Sequence, residues 1–350
     1  MPENYVASDS TTPFSIGRMI ICTTLFMAVL LGMNWAVDKA MPYRFPKQLQ
    51  NKFDFFLAHS DNYNAIIIGS SFVWNQVFPK DFDGVVNGDG GEFKTYNFGM
   101  HGVRFHEQEL YTKKILEVLP ENIDWVMVDM GTFETTYPEG QWTTDRFHWW
   151  HTPVNTLHAL QRLSASSRPS EFKRRYGRAH LKSLGLRSFH VGEWQSLKQE
   201  YAHSYGGDSR PPKKLGNDGA RIDTGRHRVK RAFDDFLDAH SEGIPALTEN
   251  DLNEADRTAL KRYVQLFEDK NVSATFVVPP TVLYSRDVRQ AGKEGIFPKL
   301  FVFNNPMEYP ELYRKEERSD EHHIAYEFTH KFGKAFGYEF AQYRKKVIDQ

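Results

Sequence analysis

The sequence predicts a three-layer α/β fold around a mainly parallel five-stranded sheet, preceded by an N-terminal transmembrane helix. Three observations carry this expectation. Short apolar runs rich in Ile, Val and Phe alternate with helix-period segments between residues 63 and 345, as a parallel sheet with covering helices requires. The stretch Leu252 to Phe267 places Leu252, Ala255, Ala259, Leu260, Tyr263, Val264 and Phe267 on one helical face. A run of nineteen residues without a charge, Met19 to Val37, stands apart near the amino terminus.

That run, MIICTTLFMAVLLGMNWAV, is bounded by Arg18 and by Asp38 and Lys39. As a helix it is about 28 Å long, enough for the hydrocarbon core of a bilayer. A cleaved signal peptide fits less well, because a cut after Ala40 puts Asp38 where a small residue belongs. A buried core helix is the third reading. Lys39, Arg44 and Lys47 follow the span and only Arg18 precedes it, a count that favours a cytoplasmic domain, although long domains cross membranes largely regardless of flanking charge.

Residues 38–62 read as a connector containing Pro42 and Pro46, ending in the amphipathic FDFFLAHS. The first strand is Ile66 to Ile68 and the second Tyr96 to Gly99. A helix with Leu110, Tyr111, Ile115, Val118 and Leu119 on one face ends at Pro120, and the third strand is WVMVDMG, Trp125 to Gly131. The Leu252 helix leads into a fourth strand, Ala274 to Pro280, and Leu300 to Phe303 is the fifth. Phe328, Phe332, Phe336 and Phe340, four residues apart, mark a final helix by their core stripe.

The α/β domain is thus expected at 63–138 and 244–345, interrupted by a basic, aromatic-rich insertion at 139–243. Arg162 to Arg231 holds seventeen Lys or Arg against six Asp or Glu, in a chain whose net charge is −1. Such an excess suits either a solvated insertion or a surface for an anionic glycan or lipid head groups. No nucleic-acid motif accompanies it. Trp149 and Trp150 are candidates to stack on sugar rings. His148, His151 and His158 lack the carboxylates of a metal site, and no metal or cofactor is expected. Cys22 is the only cysteine, so an intramolecular disulfide is excluded.

Ligands of an open parallel sheet bind beyond the carboxyl ends of its strands, where Gly69, Ser70 and Ser71 end the first one. A serine becomes a nucleophile when a base accepts its proton and a third group fixes that base. SDEHH, late in the chain, supplies Asp320 and His323 at a spacing that lets the carboxylate orient the imidazole.

With these blocks the sequence resembles the SGNH/GDSL hydrolase superfamily, a flavodoxin-like fold, and in particular its membrane-anchored members linked to cell-envelope glycan acylation. GSS resembles the Gly-Asp-Ser block, which implies Ser71 as nucleophile with Ser70 in place of the usual Asp. NFGMHG, Asn97 to Gly102, resembles the second block and implies an oxyanion-hole amide at Gly102 and a substrate contact at Asn97. DEHH resembles the Asp-x-x-His block, implying Asp320 and His323. The oxyanion hole would comprise the amides of Ser71 and Gly102. Where the family has Gly-x-Asn-Asp this chain has GTFE, so Phe133 occupies the usual asparagine position and Thr132 is the candidate substitute. The resemblance implies a serine esterase or O-acyltransferase, working outside the cytoplasm on an acylated polysaccharide, with a membrane-bound acyl donor protein as a possible partner. The alternative is a degraded scaffold of the same fold that binds glycan in an envelope complex.

Overall fold

The computed structural model describes residues 16–40, 47–88, 90–131, 133, 142, 145–189, 231–240, 246–283 and 285–349. Five strands, β1 (Ala65–Gly69), β2 (Thr95–Gly99), β3 (Trp125–Asp129), β4 (Ser273–Val278) and β5 (Leu300–Val302), form one sheet. Every pairing is parallel and the order is β2-β1-β3-β4-β5. All five expected strands are present.

Alternation along each strand divides the core in two. Ile66, Ile68, Val126, Val128, Phe276 and Val278 point to one face. There they meet α2 (Lys47–Ala58), α5 (Phe105–Glu117), α10 (Glu254–Glu268) and α11 (Arg286–Lys293). Ala65, Ile67, Met127 and Val277 point to the other, toward α3 (Ser71–Gln76), α4 (Pro79–Val86), α9 (Arg231–Ala239) and α12 (Thr329–Ile348). Three of the four expected stripe residues, Phe332, Phe336 and Phe340, are fully buried, and Phe82 packs between the last two at 4.9 and 5.4 Å; Phe328 is half-buried just before the helix starts.

Two boundaries differ from the sequence reading. The second half of the expected connector is α2, whose Leu49, Phe55 and Phe56 belong to the core; flanking prolines hid a helix with its own buried face. The last part of the expected insertion is α9, whose Phe233 and Phe236 pack with Tyr313 on the opposite face. Between them α6 (Asp145–Trp149), α7 (Pro153–Ala165) and α8 (Ser170–Ser188) form the helical part of the insertion. The Gly/Pro-rich stretch of that insertion, 205–219, lies outside the described residues.

The charge-free run lies within α1 (Ile16–Ala40), the one helix among the described residues long and apolar enough to cross a membrane. Its side chains, Met19, Ile20, Leu25, Phe26 and Leu31 among them, are exposed. A core helix would bury a face, so that reading falls.

β1 and β2 approach α3 closely at their carboxyl ends. A Cβ on Gly99 would fall on the Trp74 amide nitrogen and lie 2.8 Å from its Cα. The Trp74 backbone has no freedom to yield, and the other close atom, Asn97 Oδ1, is held by the Gly99 amide. Gly99→Ala is expected to lower stability by about 1–3 kcal/mol, as overpacking does, read as a lower urea midpoint at unchanged m-value.

Candidate active site

Strand order reverses at β1, which has β2 on one side and β3 on the other, and a crevice opens beyond the carboxyl ends at such a point. Ser70 and Ser71 leave β1 there. Ser70 caps α3: its Oγ accepts from the Phe72 amide at 3.2 Å and donates to Asp129 Oδ2 at 2.6 Å. The Asp129 carboxylate, 1% exposed, also accepts from the amides of Ser70 and Gly131 at 3.0 and 2.7 Å. Burial raises its pKa, against the opposing pull of those Ser70 and Gly131 donors and of His323. The carboxyl ends of β1 and β3 are thereby tied together, and one of the two hydroxyls at the strand end is structural.

The other hydroxyl faces His323. Ser71 Oγ lies 2.9 Å from His323 Nε2, and His323 Nδ1 lies 2.9 and 2.8 Å from the two oxygens of Asp320. Asp320 fixes the proton on Nδ1, so Nε2 presents a lone pair to the Ser71 hydroxyl. Burial would push the Asp320 carboxyl up. Hydrogen bonding and attraction from His323, with the amides of His322 and His323 donating to Oδ1, outweigh it and hold the pKa well below the usual carboxylate range.

The loop that carries this pair is braced by residues the sequence reading passed over. Arg318, almost fully buried, donates to the carbonyls of Pro280, Leu312 and Glu321 and lies over the rings of Phe233 and Tyr313. Burial lowers its pKa to about 10, and Tyr313 and Asp320 oppose that. Gln76, fully buried at the end of α3, donates to the His322 carbonyl at 3.2 Å and accepts from the Ile324 amide at 3.3 Å. The helix that starts with Ser71 is therefore bonded at its far end to the loop that carries His323.

Of the remaining expected residues, Gly102 sits with φ +69° in the turn after β2, and Met100 N donates to the Gly69 carbonyl at 3.0 Å. Thr132 lies outside the described residues. Asn97 does not face the crevice. It is fully buried, donates Nδ2 to the carbonyls of Val73 and Val77 and accepts from Gly99 N at 2.7 Å, so it staples β2 to α3 and cannot contact substrate. Lys52, also fully buried, donates to the carbonyls of Asn97 and Gly99 at 2.9 and 2.6 Å, fixing the same strand end from α2.

The assignment of Trp150 is likewise corrected. Trp150 is fully buried, stacked 3.8 Å from the His151 ring and 4.9 Å from the His106 ring. Trp149 is half-buried with the Arg187 guanidinium 4.7 Å above its ring. Phe133 packs 4.5 Å from Phe105, beneath the Arg162 guanidinium at 4.2 Å, and Arg162 Nε donates to Asp256 at 2.5 Å. Phe133 thus anchors the insertion to the core.

The buried histidines of this junction are a pH liability. His151 Nε2 and His180 Nδ1 are 3.0 Å apart. Burial, with nearby charge for the first two, drives His106 well below its ordinary value and lowers His151 to about 2, and burial alone lowers His180 to about 4. The unfolded chain binds these protons below about pH 6.5 and the folded chain does not. Stability is therefore full above pH 6.5 and is lost progressively as pH falls toward 4. Thermal unfolding at pH 7.5 and pH 5 is expected to show this fall, and His151→Leu with His180→Leu to flatten it.

Fold and site together define a parallel α/β protein with a hydrogen-bonded serine, histidine and aspartate at the carboxyl edge of its sheet. Compared with protein-family models, curated proteins and solved structures, the chain matches none.

Proposed function

We propose that this protein is a membrane-anchored serine esterase or O-acyltransferase of the SGNH type, acting on acyl esters, acetyl foremost, of a cell-envelope or secreted polysaccharide. The observation that carries the reading is the 2.9 Å contact between Ser71 Oγ and His323 Nε2, with Asp320 bonded to the opposite ring nitrogen. The strand order β2-β1-β3-β4-β5 is that of flavodoxin-like folds, and the blocks GSS, NFGMHG and DEHH resemble the superfamily in sequence order.

In the reaction Ser71 Oγ attacks the ester carbonyl while His323 Nε2 takes its proton. The amides of Ser71 and Gly102 receive the oxyanion; the first turn of α3 leaves the Ser71 amide without an intrahelical acceptor. Collapse expels the sugar alcohol, which takes the proton back from His323, and leaves an acyl-Ser71 ester. Water or a second sugar hydroxyl, deprotonated by His323, then attacks the acyl carbonyl; the bond to Ser71 Oγ breaks, and Oγ takes the proton back from His323. Transfer requires a donor, supplied in this reading by a membrane-bound acyl donor protein. With α1 as the anchor, the large domain works outside the cytoplasm, as in the family members it resembles.

A second reading, a catalytically silent scaffold, is favoured by Phe133, which has no donor where the family places an asparagine. One such donor is worth about 2.7–4 kcal/mol in the transition state, so its loss slows a serine enzyme without removing its nucleophile. Incubation with a fluorophosphonate separates the two: an adduct mapped to Ser71 by mass spectrometry is expected, and a folded chain that takes up none is the scaffold.

A further inference from the structure

Outside the crevice, a cleft of about 550 Å³ runs along α8, with Trp142 as one wall. Arg174, Arg175, Arg178 and Lys182 line it, all exposed, with Glu171 as the one acid among the lining residues. Arg174, Arg178 and Lys182 are spaced four residues apart, so they recur about every 6 Å along one helical face. None of these three forms an ion pair or hydrogen bond with another described residue. The buried acids of the adjoining helices are already taken, Asp256 by Arg162 and Glu109 by Arg262.

The insertion that carries the cleft is fixed to the sheet pole of the active site. α8 packs on α6 and α7. Arg162 of α7 covers Phe133, just past the carboxyl end of β3, and Trp150 stacks on His106 at the start of α5.

We infer that this cleft binds a polymer bearing regularly spaced carboxylates, an acidic polysaccharide, with successive carboxylates on Arg174, Arg178 and Lys182, beside a wall formed by Trp142 with the Arg175 guanidinium 5.8 Å over its ring. Arginine forks pair with carboxylates in two parallel hydrogen bonds, and the indole supplies an apolar wall beside them. The concave shape favours a chain segment over a lipid surface, which is flat. The inference extends the proposed function to its substrate class, and rests on it only for calling the bound polymer a substrate.

The test uses the full chain in neutral detergent micelles with fluorescent polygalacturonate as probe and amylose as the uncharged comparison. Polygalacturonate is expected to bind, amylose not, and Arg174→Gln with Arg178→Gln to weaken binding at least about tenfold. Helix content and fluorophosphonate labelling at Ser71 are expected to be unchanged by the pair. The inference is overturned by equal binding of wild type and variant, or by equal binding of amylose. It is also overturned if dihexanoylphosphatidylglycerol or a single-stranded oligonucleotide displaces the probe at lower charge-equivalent concentration than unlabelled polygalacturonate does. Binding without labelling at Ser71 would sink the catalytic reading and leave the cleft assignment standing.

Discussion

Ser71→Ala is expected to abolish fluorophosphonate labelling and to lower kcat on any ester the wild type cleaves by about 10⁶, the scale of losing a nucleophile from a serine triad. The fold should survive, because the Ser71 hydroxyl makes its contact with His323 and a single such bond contributes about 1 kcal/mol to stability. Ser70→Ala is the control that makes the result specific. Ser70 Oγ caps α3 and donates to the buried Asp129 carboxylate, so its loss should lower the unfolding midpoint while the adduct still forms on Ser71. Labelling that persists in Ser71→Ala would mean that the probe reacts elsewhere and that the assignment is wrong.

Asp320→Asn carries the next largest effect, a fall in kcat of about 10⁴. The amide oxygen can still accept from the amides of His322 and His323 at the present 2.7 and 2.8 Å, so the loop keeps its shape. Its NH2 group, however, donates to His323 Nδ1 and moves the ring proton to Nε2, where it faces the hydroxyl it should accept from. A nitrogen NMR shift of the His323 ring would show the exchanged tautomer directly. The substitution also has an acid signature. Because Asp320 is held below the ordinary carboxylate value, its contribution to stability is present above about pH 4 and is lost as pH falls further. Asp320→Asn should be less stable than wild type at pH 7, with the gap closing in strong acid.

The pairing of Ser71 with His323 was legible because each end is a local motif: a strand that stops on hydroxyls, and a carboxylate three residues before a histidine. The strands were legible for the same local reason, since buried parallel strands read as short runs of Ile, Val and Phe. What joins the motifs was not. Gln76 reaches His322 across 246 positions, and Lys52 reaches Gly99 across 47. A buried glutamine or lysine looks like a surface residue until the fold supplies its carbonyls. Asn97 and Trp150 failed in the opposite sense. Each type is common in binding sites, but here Val73, Val77 and Gly99 use up the amide of one, and the rings of His106 and His151 cover the other.

The bilayer-length helix α1 and the first core helix α2 are separated by six residues, 41–46. Even fully extended, that segment spans about 25 Å at most. In the proposed function, with α1 embedded, this short connection keeps the Ser71 domain beside the lipid surface. In that reading, encounters with an acyl donor held in the same leaflet become two-dimensional, and a polymer released beyond the domain's reach escapes modification. Lengthening the six-residue leash is a way to extend that reach without touching any residue of the site.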